Sequence, residues 1–99
     1  MTEKEIREII SELEPYTEDF DIIVKLIAND GYDIKGFELL EIPHPEVFCF
    51  GNHNTKQFFD VVKFWDNKWQ FSYIESSEYG ARNKLAHSIQ EAVEKYEFE

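Results

Sequence analysis

Carboxylates are the most abundant reactive groups in this 99-residue chain, and they concentrate in its first half. Residues 1–46 hold 13 acidic and 4 basic side chains, whereas residues 47–99 hold 8 acidic and 6 basic ones. On a helix, Glu5, Glu8 and Glu12 would share one flank, with about 6 Å of rise between residues four apart. Double-stranded DNA carries a charge about every 3.4 Å along each strand. Such a row of carboxylates fits a basic groove built for phosphates; the alternative is an acidic face that serves only solubility.

The three histidines and the single cysteine are the other residues with ligand or nucleophile chemistry. Cys49 lies four residues before His53 and five after His44. Metal sites on strands and turns usually use closer pairs, and a thiol between two phenylalanines in a strand is more often buried and inert than activated. The chain also has no glycine-rich phosphate loop, zinc-protease motif or EF-hand pattern. We therefore expect no catalytic residue, no metal site and no cofactor, and we expect that the protein is not an enzyme.

Charge and hydropathy exclude further classes of function. The net charge of −11 argues against direct binding to nucleic acid or to anionic membrane, because both need a basic surface. No segment approaches the roughly 18–20 apolar residues that span a bilayer, and the N-terminus lacks the apolar run of a signal peptide. One cysteine forms no intrachain disulfide. We therefore expect a cytoplasmic protein with a single acidic domain over residues 1–99.

Two helices are predicted at the N-terminus, and they would position most of the carboxylates. The first spans residues 2–14, where Thr2 and Glu5 match a capping box and Pro15 ends the helix. Its apolar residues follow the spacing i, i+3, i+4 and i+7, and they are Ile6, Ile9, Ile10 and Leu13.

The second predicted helix spans residues 17–29. Thr17 is its candidate N-cap, and Gly31 provides a stop that tolerates positive φ. The alternative is a strand, because the segment DIIVKLIA is rich in β-branched residues. Length and the stop signal favour the helix.

The middle of the chain reads as strands. We predict a first strand near residues 37–42, a second over 47–51, a turn over 51–55 and a long aromatic hairpin over 57–75. The two prolines that flank His44 indicate an extended link between the first two strands.

The hairpin has two possible registers, and they differ in which aromatic residues share a face. A two-residue turn at Asp66-Asn67, which we favour, gathers on the core face Val62, Phe64, Trp69, Phe71 and Tyr73. Phe59 and Trp65 then lie on the opposite, mixed face. A three-residue loop would instead place Trp65 with Trp69, and Lys63 among the aromatic residues.

A loop over residues 76–80 and a C-terminal helix over 81–97 complete the prediction. The stripe of that helix consists of Ala81, Leu85, Ile89, Ala92, Val93 and Tyr96. Glu91 and Lys95 add a favourable i, i+4 pair. The fold class is therefore α+β: two N-terminal helices, an antiparallel meander sheet of three to four strands with a long aromatic hairpin, and a C-terminal helix.

These features favour a protein-binding function, in which a carboxylate-rich helical face docks on a basic partner. Aromatic residues of the mixed hairpin face would add desolvated contacts. The predicted partner-binding residues are Glu5, Glu8, Glu12, Glu14, Glu18, Asp19, Asp21, Phe59 and Trp65.

In size and charge, the chain resembles phage-encoded inhibitors of bacterial nucleases and defence systems, including DNA mimics and anti-CRISPR proteins, and toxin-immunity proteins. The resemblance implies an inhibitor or adaptor whose partner is a nucleic-acid-handling protein, such as a nuclease or a CRISPR-Cas complex. Two alternatives remain open. One is an enzyme or small-ligand-binding domain with a pocket between sheet and helices, and the other is a structural subunit that forms a homodimer through the mixed sheet face.

Overall fold

The computed structural model describes residues 1–97. The chain forms helix α1 (Glu3–Ile9), a 3₁₀ helix (Ser11–Tyr16), helix α2 (Phe20–Asp30), strands β1 (Glu38–His44), β2 (Val47–Asn52), β3 (Gln57–Lys63), β4 (Trp69–Ser77) and β5 (Gly80–Ala86), and helix α3 (Ile89–Lys95). The α+β class with N-terminal helices and a C-terminal helix is confirmed, and the sheet has five strands rather than three to four. No helix in the described part is long and apolar enough to cross a membrane.

The first helix begins as predicted and ends earlier. Both halves of the capping box form, since Thr2 N donates to Glu5 Oε1 (3.0 Å) and Glu5 N donates to Thr2 Oγ1 (3.1 Å). The prediction of one helix over residues 2–14 is wrong, because α1 ends at Ile9 and the 3₁₀ helix follows. Pro15 supplies the reason: it has no N–H for an i→i−4 bond and its ring crowds the preceding turn.

Helix α2 confirms the helical reading of the second segment. Gly31 caps its C-terminus with φ of 84° in the left-handed region, as its sequence position predicts. The N-cap prediction is wrong by two residues, because Asp19 occupies that position. Thr17 Oγ1 instead accepts a hydrogen bond from Asp19 N (3.0 Å) and shapes the turn that leads into the helix.

The sheet is an antiparallel meander in the order β1-β2-β3-β4-β5, so β1 and β5 are its edges. The β1–β2 pairing is irregular, with register shifts between Leu39 and Glu41 and between Glu41 and His44. Such bulges are common on edge strands. The predicted first two strands are confirmed, each slightly longer than expected.

The hairpin uses the register that the sequence did not favour. Lys63 pairs with Trp69, and Phe64 N donates to Lys68 O (3.1 Å), so the loop has three residues, 65–67. Asn67 takes positive φ (66°) in this loop, and Asp66 Oδ1 accepts a bond from Lys68 N (3.1 Å).

Tertiary contacts explain this register. Trp69 stacks on Phe48 with 5.1 Å between ring centroids. The objection to this register was that it places Lys63 among aromatic residues. In the structure the Lys63 ammonium has an acidic partner, because its Nζ lies 3.6 Å from Asp19 Oδ2.

The predicted C-terminal helix over residues 81–97 is only partly correct. Residues 80–86 form β5, which pairs with β4 across a tight turn in which Gly80 has φ of 111°. Ala81, Leu85 and Ile89 are four residues apart, and that spacing fits an alternating strand as well as a helix. Helix α3 begins only at Ile89, where Ser88 Oγ accepts from Glu91 N (3.0 Å). The expected ion pair between Glu91 and Lys95 is present at 3.7 Å.

One face of the sheet packs on the helices and forms the core. From the sheet the core takes Phe48, Phe50, Phe59, Val61, Trp69 and Phe71, and from the helices Ile6, Ile10, Leu13, Phe20, Ile23, Val24, Ile27, Ile89 and Ala92. Each large side chain buried in this way contributes about 1.5–3 kcal/mol.

Candidate partner-binding surface

The seven carboxylates predicted to bind a partner fall into two groups, and only one group is free of internal contacts. Glu5 belongs to the first group. Its hydrogen bonds from the backbone and side chain of Thr2 lower the pKa of its carboxyl. The side chain therefore serves the start of α1.

Asp19 and Asp21 also have internal roles. Asp19 Oδ2 accepts from Trp69 Nε1 (2.8 Å) and lies 3.6 Å from Lys63 Nζ, and its side chain is 31% exposed. It therefore ties the start of α2 to the β3–β4 hairpin. Asp21 Oδ1 accepts from Arg7 Nη1 at 2.6 Å, which joins α1 to α2.

The second group consists of exposed carboxylates. Within residues 1–97 no ion pair or side-chain hydrogen bond occupies these side chains, which are Glu8, Glu12, Glu14 and Glu18. They extend from α1 through the 3₁₀ helix to the turn before α2. Because the helix geometry changes after Ile9, Glu12 does not continue the straight row that the sequence predicted for Glu5, Glu8 and Glu12.

The two aromatic residues predicted to contact a partner lie in opposite environments. The placement of Phe59 on an outer face is wrong: it is fully buried, with its ring stacked on Phe50 at 5.3 Å and tilted against Phe37 at 5.4 Å. Trp65 is 95% exposed at the tip of the β3–β4 loop. The one-residue difference in register accounts for the buried Phe59, because it exchanges the two faces of β3 relative to β4.

A groove that sequence reasoning missed runs between the 3₁₀ helix and β1. Its volume is about 540 Å³, and it is lined by Glu12, Pro15, Tyr16, Leu39, Leu40, Glu41 and Ile42. A second depression of about 300 Å³ shares Tyr16 and Ile42 and adds Pro43, His44 and Pro45. We call the two together the edge groove. The segment ELLEIPHP could have indicated this groove from the sequence. Its adjacent apolar residues and its prolines are typical of an edge strand.

The opposite face of the sheet holds a buried polar cluster around Asp60, which is 0% exposed. Asp60 Oδ1 accepts from Tyr96 Oη (2.9 Å), and Oδ2 accepts from Asn83 Nδ2 (2.7 Å). Asn83 Nδ2 also donates to Ser72 Oγ (2.9 Å). The cluster therefore connects β3, β4, β5 and the residue that follows α3.

Burial sets the chemistry of this cluster. Loss of solvation raises the pKa of Asp60, although hydrogen bonds from Tyr96, Asn83 and Cys49 partly oppose the shift. Burial, followed by the nearby Asp60 carboxylate, raises the pKa of the Cys49 thiol and of the Tyr96 hydroxyl. A thiol held in its protonated form is a poor nucleophile, so the cluster is suited to holding strands together.

The histidines lie apart from one another. His44 Nδ1 accepts from Glu46 N (3.1 Å) in the β1–β2 turn, and His53 Nε2 lies 3.8 Å from Glu38 Oε1. His53 also lines a cavity of about 370 Å³ with Lys56, Phe58, Val93 and Tyr96. Among residues 1–97, no three His, Cys, Asp or Glu side chains are placed to hold a metal ion.

Comparison with known proteins identified no relative of this chain. No protein-family model, no curated protein and no solved structure matches this chain.

Proposed function

We propose that this chain is a small acidic binding protein of the cytoplasm, an inhibitor or adaptor that docks on a basic surface of a partner protein. The observation that carries the proposal is the set of exposed carboxylates Glu8, Glu12, Glu14 and Glu18, which have no ion pair or side-chain hydrogen bond within the described residues. A nuclease, a CRISPR-Cas complex or another nucleic-acid-handling protein presents such a basic surface, because phosphate binding requires it.

Electrostatics support this role through both the charge and its placement. The net charge of −11 produces a long-range negative field. Most of that excess lies in the first 46 residues, so the field is oriented as well as strong. Complementary fields accelerate encounter and select partners more than they add affinity.

Exposed aromatic residues beside the carboxylates supply the apolar contacts that binding also needs. Tyr16 ends the 3₁₀ helix and is 63% exposed, and Trp65 is nearly fully exposed. The Asp19 contacts with Lys63 and Trp69 hold the hairpin end that carries Trp65 against the start of α2. Aromatic side chains of this kind are the residues that most often dominate interface energies.

Affinity capture followed by titration tests the proposal. The protein is immobilised, exposed to bacterial lysate and eluted with rising NaCl, and each captured protein is then purified and titrated. We expect a basic partner whose affinity falls as salt rises.

Two double variants of equal charge separate a local surface from net charge. Glu12→Gln with Glu14→Gln neutralises the 3₁₀ helix, whereas Glu78→Gln with Glu94→Gln neutralises exposed sites on the β4–β5 turn and α3. We expect the first to weaken binding about tenfold and the second to leave it almost unchanged. Equal affinities for both variants, or binding that ignores salt, would contradict the proposal.

A further inference from the structure

We infer that the edge groove receives an extended basic segment of the partner, which pairs with β1 as a sixth strand of the sheet. This inference rests on the proposed function and specifies how the partner docks. It concerns β1, the 3₁₀ helix and the groove between them.

The backbone of β1 is available for pairing. β1 is the first strand in the sheet order, so β2 pairs with one side of it and no described strand pairs with the other. An edge strand presents a row of N–H and C=O groups that can accept another chain. Pro43 has no N–H, so pairing is limited to residues 38–42, a length of about 17 Å. The register shift between Leu39 and Glu41 interrupts the regular ladder within this length.

The walls of the groove suit the side chains of an extended segment. The 3₁₀ helix forms one wall with Pro15 and Tyr16, and β1 forms the other with Leu39, Leu40 and Ile42. These β1 residues are half-buried, so part of their apolar surface remains accessible. Side chains that alternate along an added strand would meet apolar contacts on one face and solvent or carboxylates on the other.

Charge defines the chemistry of the occupant. Glu12 and Glu41 line the groove, and Glu38 and Glu46 lie on β1 and in the turn after it. The lining residues include no lysine and no arginine. A segment with lysine or arginine at alternating positions would therefore be complementary, whereas an acidic one would be repelled.

A second copy of this chain fits the groove less well. Two β1 edges brought together would oppose their glutamates, and both molecules carry a charge of −11. The β5 edge is basic, but Arg82 Nη2 already lies 3.5 Å from Glu75 Oε1 of the adjacent strand. Pairing of β5 with β1 of another copy would also be a head-to-tail contact, which builds rings or open filaments rather than a two-fold dimer.

Synthetic peptides test the inference directly. The probe has about nine residues, long enough for the free edge, and alternates lysine with valine; its counterpart alternates glutamate with valine. Binding is followed by NMR, with amide hydrogen exchange recorded for each residue. We expect the lysine peptide to bind at low salt and to slow exchange in residues 38–42, and the glutamate peptide to have no effect.

N-methylation distinguishes strand pairing from attraction by charge. Two modified lysine–valine peptides carry N-methyl groups on every valine or on every lysine, which blocks opposite edges of the extended peptide. If the peptide pairs with β1, one of the two loses binding by at least about tenfold. If both bind like the unmodified peptide, strand pairing is wrong while docking by charge stands. If no lysine peptide binds at low salt, the inference is wrong, whereas the proposed function is still tested separately by lysate capture and by the two double variants.

Variants locate the peptide on the protein. Tyr16→Ala should lower its affinity about tenfold, and Tyr79→Ala, which removes a still more exposed tyrosine from the β4–β5 turn, should leave it unchanged. Sedimentation measures the oligomeric state without peptide. A dimer whose β1 amides are already protected would overturn the inference in favour of a second copy.

Discussion

Asp60 is the residue with the most unusual environment, because a carboxyl group with no exposed surface accepts hydrogen bonds from three neighbouring side chains. When one partner of a buried polar network is removed, the loss of folding stability usually exceeds the net contribution of the hydrogen bonds, because the remaining groups are left unpaired. Sequence inspection had no means to select it among 21 acidic residues. Its partners come from β2, from β5 and from beyond α3, which only the folded chain brings together.

Asp60 should make stability depend on pH in a direction opposite to that of most carboxylates. Since burial raises its folded-state pKa, the folded state holds the proton at pH values where the unfolded chain has released it. Its contribution to the free energy of unfolding therefore falls as pH rises from the ordinary aspartate pKa of about 3.9. Asp60→Asn removes this titration. Urea unfolding at several pH values gives the free energy of unfolding of the wild type minus that of Asp60→Asn. This difference should decrease with rising pH, and an increase would contradict the raised pKa of Asp60.

Phe59 and Trp65 provide a residue-scale test of the hairpin register. Phe59→Ala removes a fully buried ring and should lower the free energy of unfolding by about 3–5 kcal/mol. Trp65→Ala removes an exposed ring and should change it by less than about 0.5 kcal/mol. Urea denaturation measures both. The register with Asp66-Asn67 as the turn would require a small effect at Phe59.

At the scale of elements, the caps, stop and side-chain pairs of the helices follow local rules, and the register of the β3–β4 hairpin does not. The sequence predicted three features of the helices: the cap at Thr2, the stop at Gly31 and the Glu91–Lys95 pair. Each of them involves residues within four positions of one another. The hairpin register was decided by the stacking of Trp69 on Phe48 and by the Lys63–Asp19 contact. Neither contact has a local signal.

Gly80 tests whether residues 80–86 are a strand in solution. In a tight turn with φ of 111°, a side chain is strained although space for it exists, so Gly80→Ala should destabilise the protein by about 1–3 kcal/mol. At the start of a helix over residues 81–97, the same change would be neutral or stabilising. Thermal and urea unfolding give the difference, and Ala81→Gly, on the neighbouring exposed position, controls for chain entropy.

The whole molecule combines a one-sided helical layer with a strongly uneven charge. The helices cover one face of the sheet, and one unpaired carboxylate of the acidic first half, Glu12, lines the groove beside β1. Neutral or basic substitutions there would reduce repulsion within the fold. Retaining so much negative charge has a cost in stability, and the proposed binding role would account for it.

Salt should therefore stabilise the isolated protein while it weakens binding. From about 10 mM to about 150 mM NaCl the Debye length falls from about 30 Å to about 8 Å, which screens the repulsion among excess carboxylates. We expect the midpoint of urea unfolding to rise over this range and the affinity for a basic partner to fall. A midpoint that falls with salt would show that attractive ion pairs, such as Arg7–Asp21, outweigh the repulsion.

The sequence alone determined the class of the fold, the start of α1, the limits of α2 near Gly31 and the acidity of the first half, because these depend on composition and on interactions within one helical turn. Only the tertiary structure decided the hairpin register, the fifth strand, the burial of Phe59 and the groove between the 3₁₀ helix and β1. Those features depend on contacts between residues far apart in the chain, such as Trp69 with Asp19 and Tyr96 with Asp60. For a strand, a shift of one residue exchanges every side chain between core and solvent. Long-range packing therefore decides which residues are exposed to a partner.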